Sequence, residues 1–365
     1  MPWSTTTGSN FATRSRWRSK FFNAEDAESA EKLTFGILVD WSELVRFLIA
    51  VFLPLLLLCD LCVLCVKKMT DEPWTIGRLL NWTTDFLRDK SAESPRLDAE
   101  VLLAHVRGCK RIELYTAFEE PASDELRQKF RELVKQRAGG KPVAYLVGQR
   151  EFFSLPFEVT PDVLIPRPET ELLVVRTLDL AKEPPLAARG GELAIADVGT
   201  GSGILAVTLA KRLPKSRVTA IEISTATMAV AQRNATRHGV SERIDWFESD
   251  LFASVPADRK FDVIVSNPPY ITSAEMKALA DDVRRYEPAG ALDGGEHGVD
   301  VISRLIEQAT ERLNPGGWLL MEISPTIAAR VESLLDAAPG LVRRPTHKDL
   351  AGLARVAQAQ RAEAS

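Results

Sequence analysis

Apolar side chains recur at helical spacing between Thr75 and Leu146. In WTIGRLLNWTTDFLRDK, Ile76, Leu79, Leu80, Thr83 and Leu87 fall on one face. PRLDAEVLLAHVRG opens on a proline suited to a first helical turn and closes on Gly108. SDELRQKFRELVKQRAGG offers Ser123 as an N-cap and a double glycine as a stop. These stretches predict a bundle of four or five helices across 69–147. The period then changes. GQREFFSLPFEVTPDVLI breaks into short β-like runs punctuated by Pro156 and Pro161, which predicts a hairpin linker over 148–167. A helix is expected from Pro168 to about Ala181, followed by a PPLAARGG loop. Beyond it, strand and helix patterns alternate: LAIADVG, ILAVTLAKRL, RVTAIEI, ATMAVAQRNATRHG, RIDWFES, FDVIVS, VISRLIEQATERL, GGWLLMEIS and two strand-like runs near 340–360. Such alternation predicts a doubly wound, mostly parallel α/β sheet over 168–360.

The first 68 residues do not share this patterning. Phe47 to Val66 is an apolar run interrupted by Pro54 and Asp60, long enough to span a bilayer and flanked by Arg46 and Lys67-Lys68. It starts too late and runs too long for a cleaved signal peptide. Two readings stand: a membrane anchor, or a leader counted in from too early a start codon. The second is favoured, with Met69 as the expected start, because nothing downstream calls for a membrane. The catalytic part is accordingly expected in the cytoplasm, tethered to a membrane only if 47–66 is an anchor. Cys59, Cys62 and Cys65 sit inside this run at CxxC spacing. No histidine or second cysteine pair lies nearby, so apolar packing or lipid contact is expected there and no metal site.

Composition narrows the function by exclusion. At 45% hydrophobic and 26% charged residues, the chain is an ordinary globular one. Its net charge of −4 provides no overall basic field for long nucleic-acid contacts, and residues 69–145 carry 13 basic against 13 acidic side chains. The four histidines have no partners nearby in sequence that suggest a relay or a metal.

The candidate chemistry gathers at strand ends. The strand LAIADVG runs into Gly199, Thr200, Gly201, Ser202 and Gly203 and then into a helix, so the backbone can turn sharply and admit a ligand. Position 204 is Ile, not the third glycine of a dinucleotide fingerprint, and the phosphate-loop lysine is absent. Asp197 is expected to order this loop. Glu222, ending the second strand, is placed to accept hydrogen bonds from ribose hydroxyls, and Asp250, Leu251 and Phe252 could bracket a base. FDVIVS then stops on Asn267, Pro268, Pro269 and Tyr270. Prolines cannot donate to a sheet and hold the preceding residues extended, so this turn is stiff and presents an amide side chain and carbonyls.

Glycine loop, strand-end acid and NPPY turn together resemble the class I S-adenosylmethionine-dependent methyltransferases, in which this turn marks transfer to a planar nitrogen. The resemblance implies a seven-stranded sheet and S-adenosyl-L-methionine as cofactor, leaving as S-adenosyl-L-homocysteine. Gly199, Thr200, Gly201, Ser202, Gly203, Glu222, Asp250, Leu251 and Asn267 would contact it. A conjugated nitrogen is a poor nucleophile. Accepting its two N–H groups on the Asn267 side-chain oxygen and the Pro268 carbonyl would aim its lone pair and stabilise the charge developing on it. Tyr270 would offer a face for stacking.

Adenine and glutamine both remain possible acceptors on this turn alone. VLIPRPETELLV (163–174), YEP (286–288), LNPGGWLLMEIS and KDLAGLARV (348–356) extend the similarity to the HemK/PrmC family of protein-(glutamine-N5) methyltransferases, over about residues 73 to 358. The implied substrate is the glutamine of the GGQ loop of class-1 peptide chain release factors, with the helical region helping to dock it. Asn267, Pro268, Pro269 and Tyr270 would hold the glutamine, with Arg167 and Glu169 of the PRPET segment nearby. Arg167 and Glu169 could equally pair with each other. Glu222 departs from the family's usual Asp, and EIS (322–324) from its EIG. The competing readings are a ribosomal-protein glutamine methyltransferase, an adenine-N6 enzyme acting on DNA or RNA, and an idle cofactor-binding or membrane-tethered scaffold. No direct nucleic-acid binding is expected.

Overall fold

The computed structural model describes residues 73–363 apart from Ser91; the apolar run 47–66 and its three cysteines lie outside the described residues. Among the described residues five helices come first: α1 (Ile76–Asp89), α2 (Pro95–Arg107), α3 (Glu113–Thr116), α4 (Asp124–Ala138) and α5 (Val143–Val147). Their ends follow the sequence. The Thr75 hydroxyl accepts from the Arg78 N–H at 3.2 Å, and Ser123 caps α4 by accepting from the Leu126 N–H at 3.2 Å. Gly108 closes α2 in the left-handed conformation. The apolar face of α1 packs on Leu102, Leu103, Leu114 and Phe130 in a core of its own. No described helix is long and apolar enough to cross a membrane.

Strands β1 (Gln149–Phe152) and β2 (Leu155–Glu158) form the hairpin. Its two-residue turn places Phe153 and Ser154 at φ 50° and 60°, the conformation of a tight primed turn, without a glycine. A 3₁₀ turn over Pro168–Thr170 leads into α6 (Glu171–Leu180).

The sheet then assembles from β3 (Ala194–Val198), β4 (Arg217–Glu222), β5 (Ile244–Glu248), β6 (Phe261–Ser266), β7 (Leu313–Glu322), β8 (Leu341–Lys348) and β9 (Ala354–Arg361), with α7 (Ile204–Arg212), α8 (Thr225–His238), α9 (Asp281–Tyr286), α10 (Asp300–Arg312) and α11 (Ala328–Ala337) between them. Its order is β5-β4-β3-β6-β7-β9-β8. Pairing is parallel from β5 to β7, and β9 runs antiparallel to both of its neighbours.

Strand β6 shows why the sheet is covered on both sides. All six of its residues are buried, and Val263, Ile264 and Val265 alternate between two cores. Val263 and Val265 pack with Leu205 and Leu209 of α7, whereas Ile264 packs with Ile302 and Leu305 of α10 and Val331 of α11. The strand order reverses between β3 and β6, so their C-terminal ends diverge into a crevice. A hydrogen bond from the Ser266 hydroxyl to the Val198 carbonyl (2.7 Å) ties the two ends together there.

Candidate active site at the sheet switch point

The glycine loop turns immediately after β3. Gly199, Gly201 and Gly203 all have positive φ, at 74°, 58° and 83°. Gly203 also lies against α8: a Cβ there would stand 3.1 Å from that of Ala231, so both the turn and the helix contact demand glycine. Around Gly199 no protein atom lies within 4 Å of a Cβ position, so its bare backbone borders open space. Asp197 orders the loop, as its position suggested. Its Oδ2 accepts from the Thr200 hydroxyl (2.6 Å) and the Ala206 N–H (2.9 Å), while Oδ1 has no partner. Complete burial pushes its carboxyl up to about 7, against the pull of those two hydrogen bonds.

Glu222 ends β4 and is nearly buried. The extra methylene lets its carboxylate reach both directions along the chain. Oε2 accepts from the Gly201 N–H (3.0 Å), and Oε1 from the N–H groups of Ile223 (3.0 Å) and Ser224 (3.2 Å). It therefore braces the glycine loop while lining the cavity. A carboxylate has about four acceptor positions, so one more remains for a ligand hydroxyl.

A cavity of about 600 Å³ opens over these strand ends, within the usual range for small-molecule sites, roughly 300–1,000 Å³. Gly199, Thr200, Gly201, Ser202, Glu222, Asp250, Leu251 and Asn267 all line it, as do Arg167 and Pro269. Gly203, Pro268, Tyr270 and Glu169 do not. Asp250 is half exposed and paired with Arg304 at 2.6 Å. Phe252 departs from expectation. It is buried against Phe261 beneath the Arg312 guanidinium, so Leu251 alone of that apolar pair reaches the cavity.

At the other wall, Asn267 Nδ2 donates to the Thr170 hydroxyl at 3.1 Å. This orientation keeps Oδ1 as a free acceptor. Tyr270 is half-buried beside the cavity rather than in its lining. Its ring packs against the core that contains Ile264 and Ile327, and its hydroxyl donates to Glu322 at 3.0 Å. Burial and the Glu322 charge push the phenol far up. Arg167 does not pair with Glu169. Its guanidinium meets the buried carboxylate of Glu287, the acid of YEP, at 2.6 Å, and the other Glu287 oxygen accepts from the Ile165 N–H at 3.2 Å. Glu169 instead adds its charge to the surroundings of Glu322 and Arg355.

Two family models match the chain: the PrmC N-terminal domain over residues 78–148 and the methyltransferase small domain over 177–284. The release factor glutamine methyltransferase of Rhodopirellula baltica is 49% identical over 296 residues, covering 81% of this chain and 99% of that protein. The chain belongs to the release factor glutamine methyltransferase family. Its relatives of the same name in Geobacter sulfurreducens and Chlorobaculum tepidum are 46% and 42% identical, over 70% and 73% of this chain and 87% and 92% of theirs.

This release factor glutamine methyltransferase family member also relies on residues that pattern alone did not single out. Gly294 lies against the NPPY turn: a Cβ there would stand 2.8 Å from the Tyr270 Cα and 2.9 Å from the Pro269 carbonyl. The Gly294 N–H donates to the Ile271 carbonyl at 2.8 Å, and Ile271 donates to Leu292 at 3.0 Å, so the 292–294 segment splints the turn from outside. Asn234 of α8 is fully buried. Its Nδ2 donates to the carbonyls of Ser202 (2.9 Å) and Glu158 (3.0 Å), and its Oδ1 accepts from the Glu158 N–H (2.7 Å). An asparagine within the helix alongside buried alanines was the available signal.

Proposed function

We propose that this chain transfers a methyl group from S-adenosyl-L-methionine to the side-chain amide nitrogen of the glutamine in the GGQ loop of class-1 peptide chain release factors. The observation that carries this reading is Asn267, which stands at the cavity wall with its NH2 taken by Thr170 and its oxygen open. Such a wall accepts from an NH2 group and disfavours a carbonyl oxygen.

The cavity fits the cofactor. It offers a bare glycine turn, the near-saturated Glu222 carboxylate with an acceptor position to spare, an apolar wall at Leu251 and polar groups at Asp250 and Asn267. Glu222 would hold a ribose hydroxyl, and Leu251 would cover the base. When bound, S-adenosyl-L-methionine would supply an electrophilic methyl carbon, the electron pair of the broken S–C bond staying with the S-adenosyl-L-homocysteine product. Asn267 Oδ1 and the Pro268 carbonyl take the two N–H groups of the glutamine, turning its lone pair toward that carbon. These acceptors strengthen as charge grows on nitrogen, so they favour the transition state over the ground state. The nitrogen would form the new N–C bond as the S–C bond breaks, and its surplus proton would pass to water. Arg167, neutralised by Glu287, forms part of the mouth that the loop would enter.

The test is methyl transfer from labelled S-adenosyl-L-methionine to a release factor, to the same factor with GGQ changed to GGA, and to duplex DNA. Label on the GGQ protein alone is the expected result. Label on DNA, or equal labelling of the GGA protein, rejects the glutamine reading.

A further inference from the structure

Among the described residues, three other than glycine have a positive φ. Phe153 and Ser154 turn the hairpin; the third is Leu251, at φ 50°. That conformation is unfavourable for a bulky L side chain, so something must hold it. Leu251 lies in the turn after β5, lines the cavity and otherwise packs in the core that includes Ile221 and Ile302. Bonds within the turn run from the Ala253 N–H to the Asp250 carbonyl (3.2 Å), from Val255 to the Phe252 carbonyl (3.1 Å) and from Ser254 to the Ser249 hydroxyl (2.8 Å). The Phe252 N–H, in the peptide directly after Leu251, goes elsewhere. It donates to Oε1 of Gln308, a half-buried residue of α10, at 3.1 Å.

One face of α10 grips this turn. Residues four apart on a helix lie one above another, and Arg304, Gln308 and Arg312 are so spaced. Arg304 meets the Asp250 carboxylate at 2.6 Å, Gln308 takes the Phe252 N–H, and Arg312 donates to the carbonyls of Phe252 (3.3 Å) and Val255 (3.1 Å). Neither arginine can replace the amide, because a guanidinium only donates and the Phe252 N–H needs an acceptor.

We propose that Gln308 is a positioning residue for the cofactor's base. By holding the peptide after Leu251, it keeps that side chain on the cavity wall as an apolar surface for a flat aromatic ring. This rests on the reading above that Leu251 covers the base. Without an acceptor at position 308 the Phe252 N–H loses its partner, and the peptide turns to find another. Leu251 then relaxes from its strained conformation, and its side chain leaves the wall. The acceptor wall at Asn267, on β6, is untouched by this change, so binding should suffer and chemistry should not.

The test uses the full chain, with S-adenosyl-L-homocysteine as the calorimetric probe. Gln308→Met, of similar length but without a strong acceptor, should raise Kd roughly threefold to tenfold, the effect of one hydrogen bond. Gln308→Glu keeps an acceptor and should bind within about twofold of the parent. Leu251→Gly lacks the side chain and takes positive φ freely. It should weaken binding by itself, and adding Gln308→Met to it should weaken binding no further. A merely structural role for Gln308 would lower affinity equally in both backgrounds. With a release factor as acceptor, Gln308→Met should raise KM for S-adenosyl-L-methionine and leave kcat at saturating cofactor within about twofold. If the parent methylates no release factor, calorimetry alone decides. Parent affinity in Gln308→Met, or equal losses in the two backgrounds, overturns the proposal and leaves the base reading in place. Parent affinity in Leu251→Gly removes the base reading and the proposal with it.

Discussion

The cofactor side and the acceptor side of this site are both built over a buried carboxylate with one unpartnered oxygen, Asp197 at the end of β3 and Glu322 at the end of β7. The two are used differently. Asp197 grips residues 3 and 9 positions along its own chain, and Glu222 adds bonds to its immediate successors and to the loop. The cofactor side is thus a local, backbone-borne structure. Glu322 meets Tyr270 52 positions away, and Thr170 meets Asn267 97 positions away. The acceptor side is a side-chain assembly drawn from three separate strand ends and turns. A backbone cradle suits a ligand bound the same way in each cycle, whereas an assembly of side chains can specify the chemistry of one nitrogen.

That division predicts separable failures. Asn267→Ala should have the largest effect, a loss of about 10²–10³-fold in kcat, if the side-chain oxygen is the transition-state acceptor proposed above. Cofactor binding measured by calorimetry should persist; its disappearance would mean that the two sides are not independent. The paired glycines come next. Gly203→Ala places a Cβ at positive φ against Ala231, and Gly294→Ala forces one into Tyr270 and Pro269. Each should destabilise the fold by about 1–3 kcal/mol in urea titrations. Gly203→Ala should weaken cofactor binding, and Gly294→Ala should lower kcat at saturating cofactor. The opposite assignment would reverse the roles given to the two sides.

The smallest effect concerns pH. Folded Asp197 holds its proton up to about pH 7, whereas the unfolded chain releases it near 3.8. The folded state therefore binds more protons in that window, and this residue's contribution to stability is lost as pH rises from about 4 to about 7. Asp197→Asn keeps the shape without the titration, so its urea midpoint should fall less between pH 5 and pH 8 than that of the parent. An identical slope would mean that the carboxyl ionises freely despite its burial.

The same contrast explains what could be read from residues alone. The glycine loop, its bracing acid, the helix caps and the stiff NPPY turn depend on neighbours in sequence, and pattern reached them. The hairpin was also legible, although nothing announced that Phe153 and Ser154 would take positive φ. Side-chain partnerships across the fold were not. Arg167 and Glu169 look like a pair because they are two apart, yet the partner of Arg167 lies 120 positions on, directly after α9. Phe252 is an aromatic residue near the site that the core claims, and Tyr270 gives part of its ring to the core and its hydroxyl to Glu322. Stacking surface and packing surface are the same chemical material, and only the fold allots them.

Asn234 has a mechanical consequence. It clamps the β2 strand to the Ser202 carbonyl of the glycine loop through three hydrogen bonds. Sliding the hairpin along α8 would strip polar groups of their partners at about 1–3 kcal/mol each. The hairpin follows directly from the last helix of the bundle. Gly148 alone separates that helix from β1, so a torque applied to the bundle by an incoming protein would reach the glycine loop through the hairpin and Asn234.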